Sequence, residues 1–234
     1  MDLKEEDILG DDIGHHWYYR SKARALRNAV HDVPANRILD VGAGSGFFSR
    51  HLLAKTQAQS ALCVDIGYRN DAEDEVAGKK VLYRRDIGAT NCDLVLMMDV
   101  LEHVDDARGL VRLYADKVPS GAHFVVTVPA FQFLWSGHDV FLEHKRRYRL
   151  PEIEAIMRDA GLEVVSGAYY FGLIFPLAAA VRLASRNTTE PKSSLSKHDA
   201  LTNGVLTAIC AAELLLFPIN RLAGLSAFVL AKKP

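Results

Sequence analysis

A short apolar run, Arg37-Ile38-Leu39-Asp40-Val41, ends in three glycines set two apart, Gly42, Gly44 and Gly46, and a helical pattern begins at once with Phe47. A strand that passes directly through a glycine turn into a helix is the first half of a crossover, and crossovers join parallel strands. The same alternation recurs along the chain. Apolar strand-like segments fall at 61–65, 81–83, 93–98, 124–128, 164–171 and 227–231, and helical patterns at 16–31, 47–55 and 107–117. Pro151 opens a further helix that Gly161 closes. The pattern predicts an α/β domain with a mainly parallel sheet covered on both faces.

The spacing of the glycines narrows the ligand. A dinucleotide fingerprint places its third glycine three residues after the second, and that position is Phe47. This disfavours a nicotinamide oxidoreductase. A phosphate-cradling loop also fails, because no Gly-Lys-Ser/Thr follows. What remains is a small-residue turn that lets the backbone approach a ligand, with Asp40 beside it. That carboxylate repels a pyrophosphate and welcomes an ammonium group. Asp65 ends the second strand, where it can accept both hydroxyls of a ribose. Asp86 and Ile87 follow the third, where they can meet the amine and the face of an adenine. Each acid alone reads equally well as a strand-end cap. Three at successive strand ends beside a glycine turn read as one ligand set.

These residues resemble the class I S-adenosylmethionine-dependent methyltransferases. Residues 38–46 look like that family's first motif. The stretch Asp93-Leu94-Val95-Leu96-Met97-Met98-Asp99-Val100-Leu101-Glu102-His103-Val104 is similar to its fourth-strand motif. The resemblance implies a Rossmann-like, seven-stranded mixed sheet, with the last strand antiparallel between the fifth and sixth. It implies S-adenosyl-L-methionine as cofactor, with Asp40, Gly42, Ala43, Gly44 and Gly46 at the methionine part and Asp65 and Ile66 at the ribose. Asp86 and Ile87 fall at the adenine, and Met98 and Asp99 beside the sulfonium. His16-Trp17-Tyr18-Tyr19-Arg20, and the loop from Phe133 to Asp139 followed by His144-Lys145-Arg146-Arg147-Tyr148, resemble a type 11/12-like subgroup. Tyr19 and Arg20 then join the cofactor site. Members of that subgroup are linked with polyprenyl, quinone, glycolipid and surface-glycan pathways, so the expected acceptor is small or lipid- or glycan-linked.

Methyl transfer is an in-line displacement, and the protein's main task is alignment. A base is needed where the acceptor must lose a proton. His103 is the first candidate, and His138 and His144 follow; each also reads as a packed or backbone-bonded histidine. Trp135, Arg147 and Tyr148 are candidates for the acceptor, with Arg147 on a basic rim suited to carboxylate or phosphate. No metal is expected. The low-ranked ligand candidates are Asp99, Glu102 and His103, whose spacing puts them on one helical face and resembles the metal-supporting pattern of quinone-pathway O-methyltransferases. Two oxygens and one imidazole would suit Mg²⁺ or Mn²⁺. Two alternatives stay open: a cofactor-binding partner subunit without catalysis, and that metal-assisted O-methyltransferase.

With 28 basic and 29 acidic residues the chain has no global field to hold a polyanion, so nucleic acid is not an expected partner. Cys63, Cys92 and Cys210 have no metal-type spacing and leave one unpaired, which points to a cytoplasmic setting. The whole chain reads as one domain with a loose acidic stretch over 1–15. Residues 173–222 form an apolar insertion between the last two strands. The uncharged run 164–181 is interrupted by Gly167, Gly172 and Pro176, which argues against a membrane span. Two helices are expected instead, acting as a lid, a homodimer face or a peripheral membrane contact, joined by a polar linker at 185–196.

Overall fold

The computed structural model describes residues 10–184 and 199–234. Helix α1 (Trp17–Ala29) precedes β1 (Arg37–Val41), α2 (Phe47–Lys55) and β2 (Ser60–Val64). A hairpin of β3 (Ala72–Val76) and β4 (Lys79–Arg84) follows, then β5 (Leu94–Met98), α3 (Ala107–Ala115) and β6 (His123–Pro129). The chain continues through α4 (Gly137–Phe141), α5 (Leu150–Asp159) and β7 (Glu163–Tyr170). It ends with α6 (Phe175–Ala184), α7 (Ala200–Glu213) and β8 (Ser226–Lys232).

The strands form a single sheet in the order β3-β4-β2-β1-β5-β6-β8-β7. β4, β2, β1, β5 and β6 are parallel neighbours, and β8 lies antiparallel between β6 and β7. This is the mixed Rossmann-like sheet with one strand more than expected. Side-chain alternation supplies both cores. Ile38, Leu94, Leu96, Met98 and Val125 face one layer, whereas Leu39, Val95, Met97, Phe124 and Val126 face the other, as a period of two requires.

The added strand is β3, whose Ala-Glu-Asp-Glu-Val composition reads as a polar loop. Its charges are matched across the hairpin: Glu73 meets Lys80 at 2.9 Å and Arg84 at 3.0 Å. Ala77 and Gly78 both have positive φ, 53° and 75°, which closes a two-residue turn. Cross-strand ion pairs here replace the apolar face by which a strand is usually recognised, and they also leave the sheet edge charged.

The looseness expected over 1–15 does not hold at its end. Gly10–Gly14 forms a 3₁₀ turn and Ile13 packs on the core; residues 1–9 lie outside the described residues. The polar linker at 185–196 also lies outside them. Helices α6 and α7 stand between β7 and β8. α7 closes on α1, where the Trp17 amide donates to Asn203 at 2.7 Å and Tyr170 donates to the Cys210 carbonyl at 2.9 Å. Glu213, the one charged residue between Asp199 and Arg221, accepts from the amides of Gly172 and Leu173 and ties the start of the insertion to its second helix. Among the described residues no helix is long and apolar enough to cross a membrane.

Candidate active site

The parallel strands end at one side of the sheet. Asp40 lies near the end of β1, Asp65 follows β2, Asp86 follows β4 and Asp99 follows β5, so four acids mark the ends of four consecutive neighbours. The glycine turn leaves β1 between them. Gly42 (φ 64°) and Gly46 (φ 72°) take conformations that favour glycine, and a Cβ on Gly42 would come 2.7 Å from Val100. The turn is clasped from β2: Gly42 donates to the Val64 carbonyl at 2.8 Å and Gly44 donates to the Asp65 carboxylate at 3.0 Å. Asp65 also accepts from Gly67 at 2.8 Å, and the Tyr68 hydroxyl donates to the Gly44 carbonyl.

Asp40 is fully buried, and one of its oxygens has no hydrogen-bond partner among the described residues. Burial pushes its carboxyl up to about 6, partly offset by hydrogen bonding from Ser49. A cation at this carboxylate would supply the missing partner. Asp65 is half-buried, and Ile66 beside it is 83% exposed. Ile87 is half-buried. Asp86 stands at the surface, 85% exposed, and accepts from Lys117 at 3.2 Å. Its carboxyl is held low by the Ile87 amide and by Lys117.

Three further residues expected at the cofactor are buried or half-buried in the ligand-free chain. Met98 is 1% exposed, because its register puts it on the core face with Leu94 and Leu96. Tyr19 is also buried, with its ring edge-on to Phe47 at 5.6 Å; it packs the helix that follows the glycine turn. Arg20 is half-buried on α1.

Asp99 is engaged by a residue that sequence reading missed. Lys22, wholly buried on α1, forms an ion pair with Asp99 and donates to the Tyr18 hydroxyl at 3.2 Å. Thr127 donates to the same carboxylate at 3.1 Å. Burial works against both charges, but the pair prevails: the Lys22 ammonium is held above its usual range and the Asp99 carboxyl below. Asp99 has φ 56° and Phe131, just past β6, has φ 59°. Strained backbone at the ends of adjacent strands is a feature of functional sites.

The loop after β6 is organised around Asp139, a second residue the sequence reading did not single out. Arg147 donates to it through Nε at 2.7 Å and Nη2 at 3.0 Å, and His144 Nδ1 lies 3.0 Å from Oδ1. Desolvation opposes the charge on Asp139, but His144 and Arg147 hold its carboxyl well below the usual range. Arg147, expected on a rim, is therefore buried in an ion pair. Tyr148 is buried as well, donating to the Leu101 carbonyl at 2.8 Å. Trp135 is half-buried beyond the short turn Gln132–Leu134. The three candidate histidines converge: the His103 and His144 rings lie 4.8 Å apart, and His138 lies 6.4 Å from His144. Burial, with Arg182 nearby, lowers His138 to about 4, so it is neutral near pH 7.

Glu102 lies on the turn Leu101–His103, fully buried, with neither carboxyl oxygen hydrogen-bonded among the described residues. Burial and the nearby Asp99 raise its carboxyl well above the usual range. The low-ranked ligand candidates Asp99, Glu102 and His103 are not the set brought together. Glu102, His103 and His144 place one ligand atom each within 4.8 Å of one another, and Asp99 is taken by Lys22.

A family model described as a methyltransferase domain matches residues 14–167. The chain belongs to this methyltransferase-domain family and is an S-adenosylmethionine-dependent methyltransferase. The match bears on the family, not on a subgroup. A comparison with curated proteins found no match. Among solved structures, an S-adenosylmethionine-dependent methyltransferase from Archaeoglobus fulgidus is 18% identical. It matches with TM-score 0.53 over 99% of this chain and 98% of that one. A Haloferax volcanii methyltransferase in complex with the Trm112 activator is 16% identical, TM-score 0.53, over 92% and 94%. Phosphoethanolamine N-methyltransferase 2 of Haemonchus contortus, in complex with S-adenosyl-L-methionine, is 16% identical, TM-score 0.54, over 90% of this chain and 52% of that one. At these identities the structural likeness speaks for the fold.

Proposed function

We propose that this methyltransferase acts on a lipid-linked acceptor, at or near a membrane surface on the cytoplasmic side. The observation that carries the acceptor class is the distribution of exposed apolar side chains. Leu173, Leu177, Val181, Leu201, Ile219 and Leu222 all stand exposed within the insertion, Leu222 to 90%. Apolar side chains left in water forgo the free energy of burial, roughly 25 cal/mol per Å², and an acyl or prenyl tail would cover them. Helix α6, which carries Leu177 and Val181, packs against the loop after β6. Arg182 on α6 donates to the Leu134 carbonyl at 3.1 Å, and the Phe175 ring lies 5.5 Å from that of Phe131.

In this reading Asp40 receives the ammonium of the cofactor and the backbone of Gly42 to Gly46 its carboxylate end. Asp65 takes the ribose hydroxyls, Ile66 and Ile87 cover the adenine, and Asp86 meets its amine. The acceptor's lone pair attacks the methyl carbon while the carbon–sulfur bond breaks, leaving a neutral thioether. The acceptor's proton, where it has one, passes to the histidines at 103 and 144. General base assistance of this kind is worth roughly 10²–10⁴-fold.

The test is a transfer assay with labelled S-adenosylmethionine, comparing a total-lipid extract with the polar small-molecule fraction of the same cells. Label in the organic phase is expected, and it should fall when Leu177 and Val181 are changed to Gln. Label confined to the polar fraction would overturn the lipid-linked acceptor. The Haloferax neighbour's activator supports a second reading, a chain that needs a partner subunit to turn over; cofactor binding without transfer to either fraction would favour it.

A further inference from the structure

We propose that Glu102, His103 and His144 bind one divalent transition-metal ion, of the zinc type, beside the end of β5. Two segments distant in sequence build the site. The Lys145 amide donates to the Glu102 carbonyl at 2.7 Å and Tyr148 donates to the Leu101 carbonyl, so the turn after β5 and the loop after β6 are pinned together at the cluster. One ligand atom from each of the three residues lies within 4.8 Å of the others, and the two imidazoles meet edge to face at 83°.

The carboxyl of Glu102 supplies the independent sign of a ligand. It is completely enclosed, and neither oxygen has a hydrogen-bond partner among the described residues. An unsatisfied buried polar group is costly, and in native structures it commonly marks an unseen water or ion. Here two imidazoles lie beside that carboxyl, and a cation held among them would give it its missing partner.

His144 is already oriented as a ligand. Its Nδ1 is held by Asp139 at 3.0 Å, leaving Nε2 as the ring's remaining donor atom. Asp139 is itself fixed by Arg147 and by the Ser136 amide. A carboxylate behind a histidine in this way sets its tautomer and raises its basicity toward a metal. Asp139 is thus a positioning residue.

The donor set selects the ion. Two imidazoles and one carboxylate are the three-ligand set of catalytic zinc, with a position left open. Mg²⁺, which prefers oxygen and retains its waters, fits poorly. The open position would take an acceptor oxygen close to the strand ends where the cofactor reading places the methyl group; with the ion bound, the metal eases loss of the acceptor's proton in place of the histidine base. The site itself does not depend on that reading.

The full chain, stripped with a chelator and returned to buffer, is titrated with Zn²⁺ against a chromogenic chelator. One equivalent is expected, with a matching rise in the thermal midpoint of the wild-type chain. Glu102→Gln and His144→Ala should each lose this binding. Asp139→Asn should weaken it roughly 10–100-fold, whereas His31→Ala, at an exposed histidine, should leave it unchanged. Midpoints of the metal-free variants identify any that fail to fold, and the wild-type midpoint shift reads the site without a substitution. No bound equivalent in the wild-type chain, or binding undiminished in folded Glu102→Gln and His144→Ala, overturns the proposal. S-adenosylhomocysteine titrated into the metal-free chain tests the cofactor reading separately.

Discussion

Replacing Asp40 by Asn should stabilise the ligand-free chain while impairing its cofactor binding. Asp40 is buried, and its carboxyl is raised from 3.8 to about 6, chiefly by burial. Between those values the folded chain keeps a proton that the unfolded chain has released. Stability therefore falls as pH rises through that window and stays lower above it. At 1.36 kcal/mol for each pKa unit, the ionised carboxylate costs the fold about 3 kcal/mol near pH 7. The amide keeps the shape without the charge. The measurement is chemical denaturation of both chains at pH 4 and pH 7.5. The variant's advantage should be small at pH 4 and approach that cost at pH 7.5, less what is lost in hydrogen bonding from Ser49. Binding moves the other way. A hydrogen bond to a charged group is worth roughly 1.5–3 kcal/mol, so S-adenosylhomocysteine should bind at least about tenfold more weakly to the variant. In the wild-type chain affinity should decline as pH falls below about 6. An Asp40→Asn chain no more stable than wild type at pH 7.5, or a stability difference independent of pH, would refute the burial of a costly charge. Unchanged affinity would remove Asp40 from the cofactor's ammonium.

Asp65→Ala removes the acceptor expected at the ribose and the hydrogen bond that holds Gly44; calorimetric titration should show affinity for S-adenosylhomocysteine reduced about tenfold or more, and no change would sink that assignment. Lys22→Met leaves Asp99 without its buried cation and should cost roughly 3–5 kcal/mol in denaturation, most of it recovered in Lys22→Met/Asp99→Asn. Because the Asp99 carboxyl is lowered, the wild-type pair stabilises above the ordinary carboxylate range and the effect fades as pH falls through it. Arg147→Ala should act as a folding variant, losing about 3–5 kcal/mol because Asp139 stays buried and uncompensated; a fully stable chain that lost only acceptor binding would restore Arg147 to a substrate rim.

What could be read from the sequence has a common physical basis, and so does what could not. The glycine turn and the acids at strand ends are local: each depends on a residue's position relative to its own strand, and the parallel register then sets Asp40, Asp65 and Asp86 side by side. The edge strand β3 was illegible because ion pairs such as Glu73–Lys80, rather than an apolar face, hold it. Lys22 and Asp139 were illegible for a different reason. A charged residue reads as exposed until its partner is known, and the partners are remote in sequence: Asp99 for Lys22, and Arg147 and His144 for Asp139.

The same distinction explains why the burial of Arg147 and Met98 could not be read from the sequence. Arg147 lies in a run of basic residues, where Arg146 and Arg149 remain exposed, and only the fold shows that this one turns inward to Asp139. Met98 is adjacent to Asp99 in sequence, but alternation along β5 puts its side chain into the core and leaves the strand end to the aspartate. The substitution of His144 for Asp99 in the cluster follows from these pairings. Lys22 is taken by Asp99, the carboxyl oxygens of Glu102 have no hydrogen-bond partner among the described residues, and Asp139 holds the nearby His144 imidazole. A buried acid with unpartnered oxygens beside two histidines, one of them held by a second carboxylate, is an arrangement that a cation can bridge.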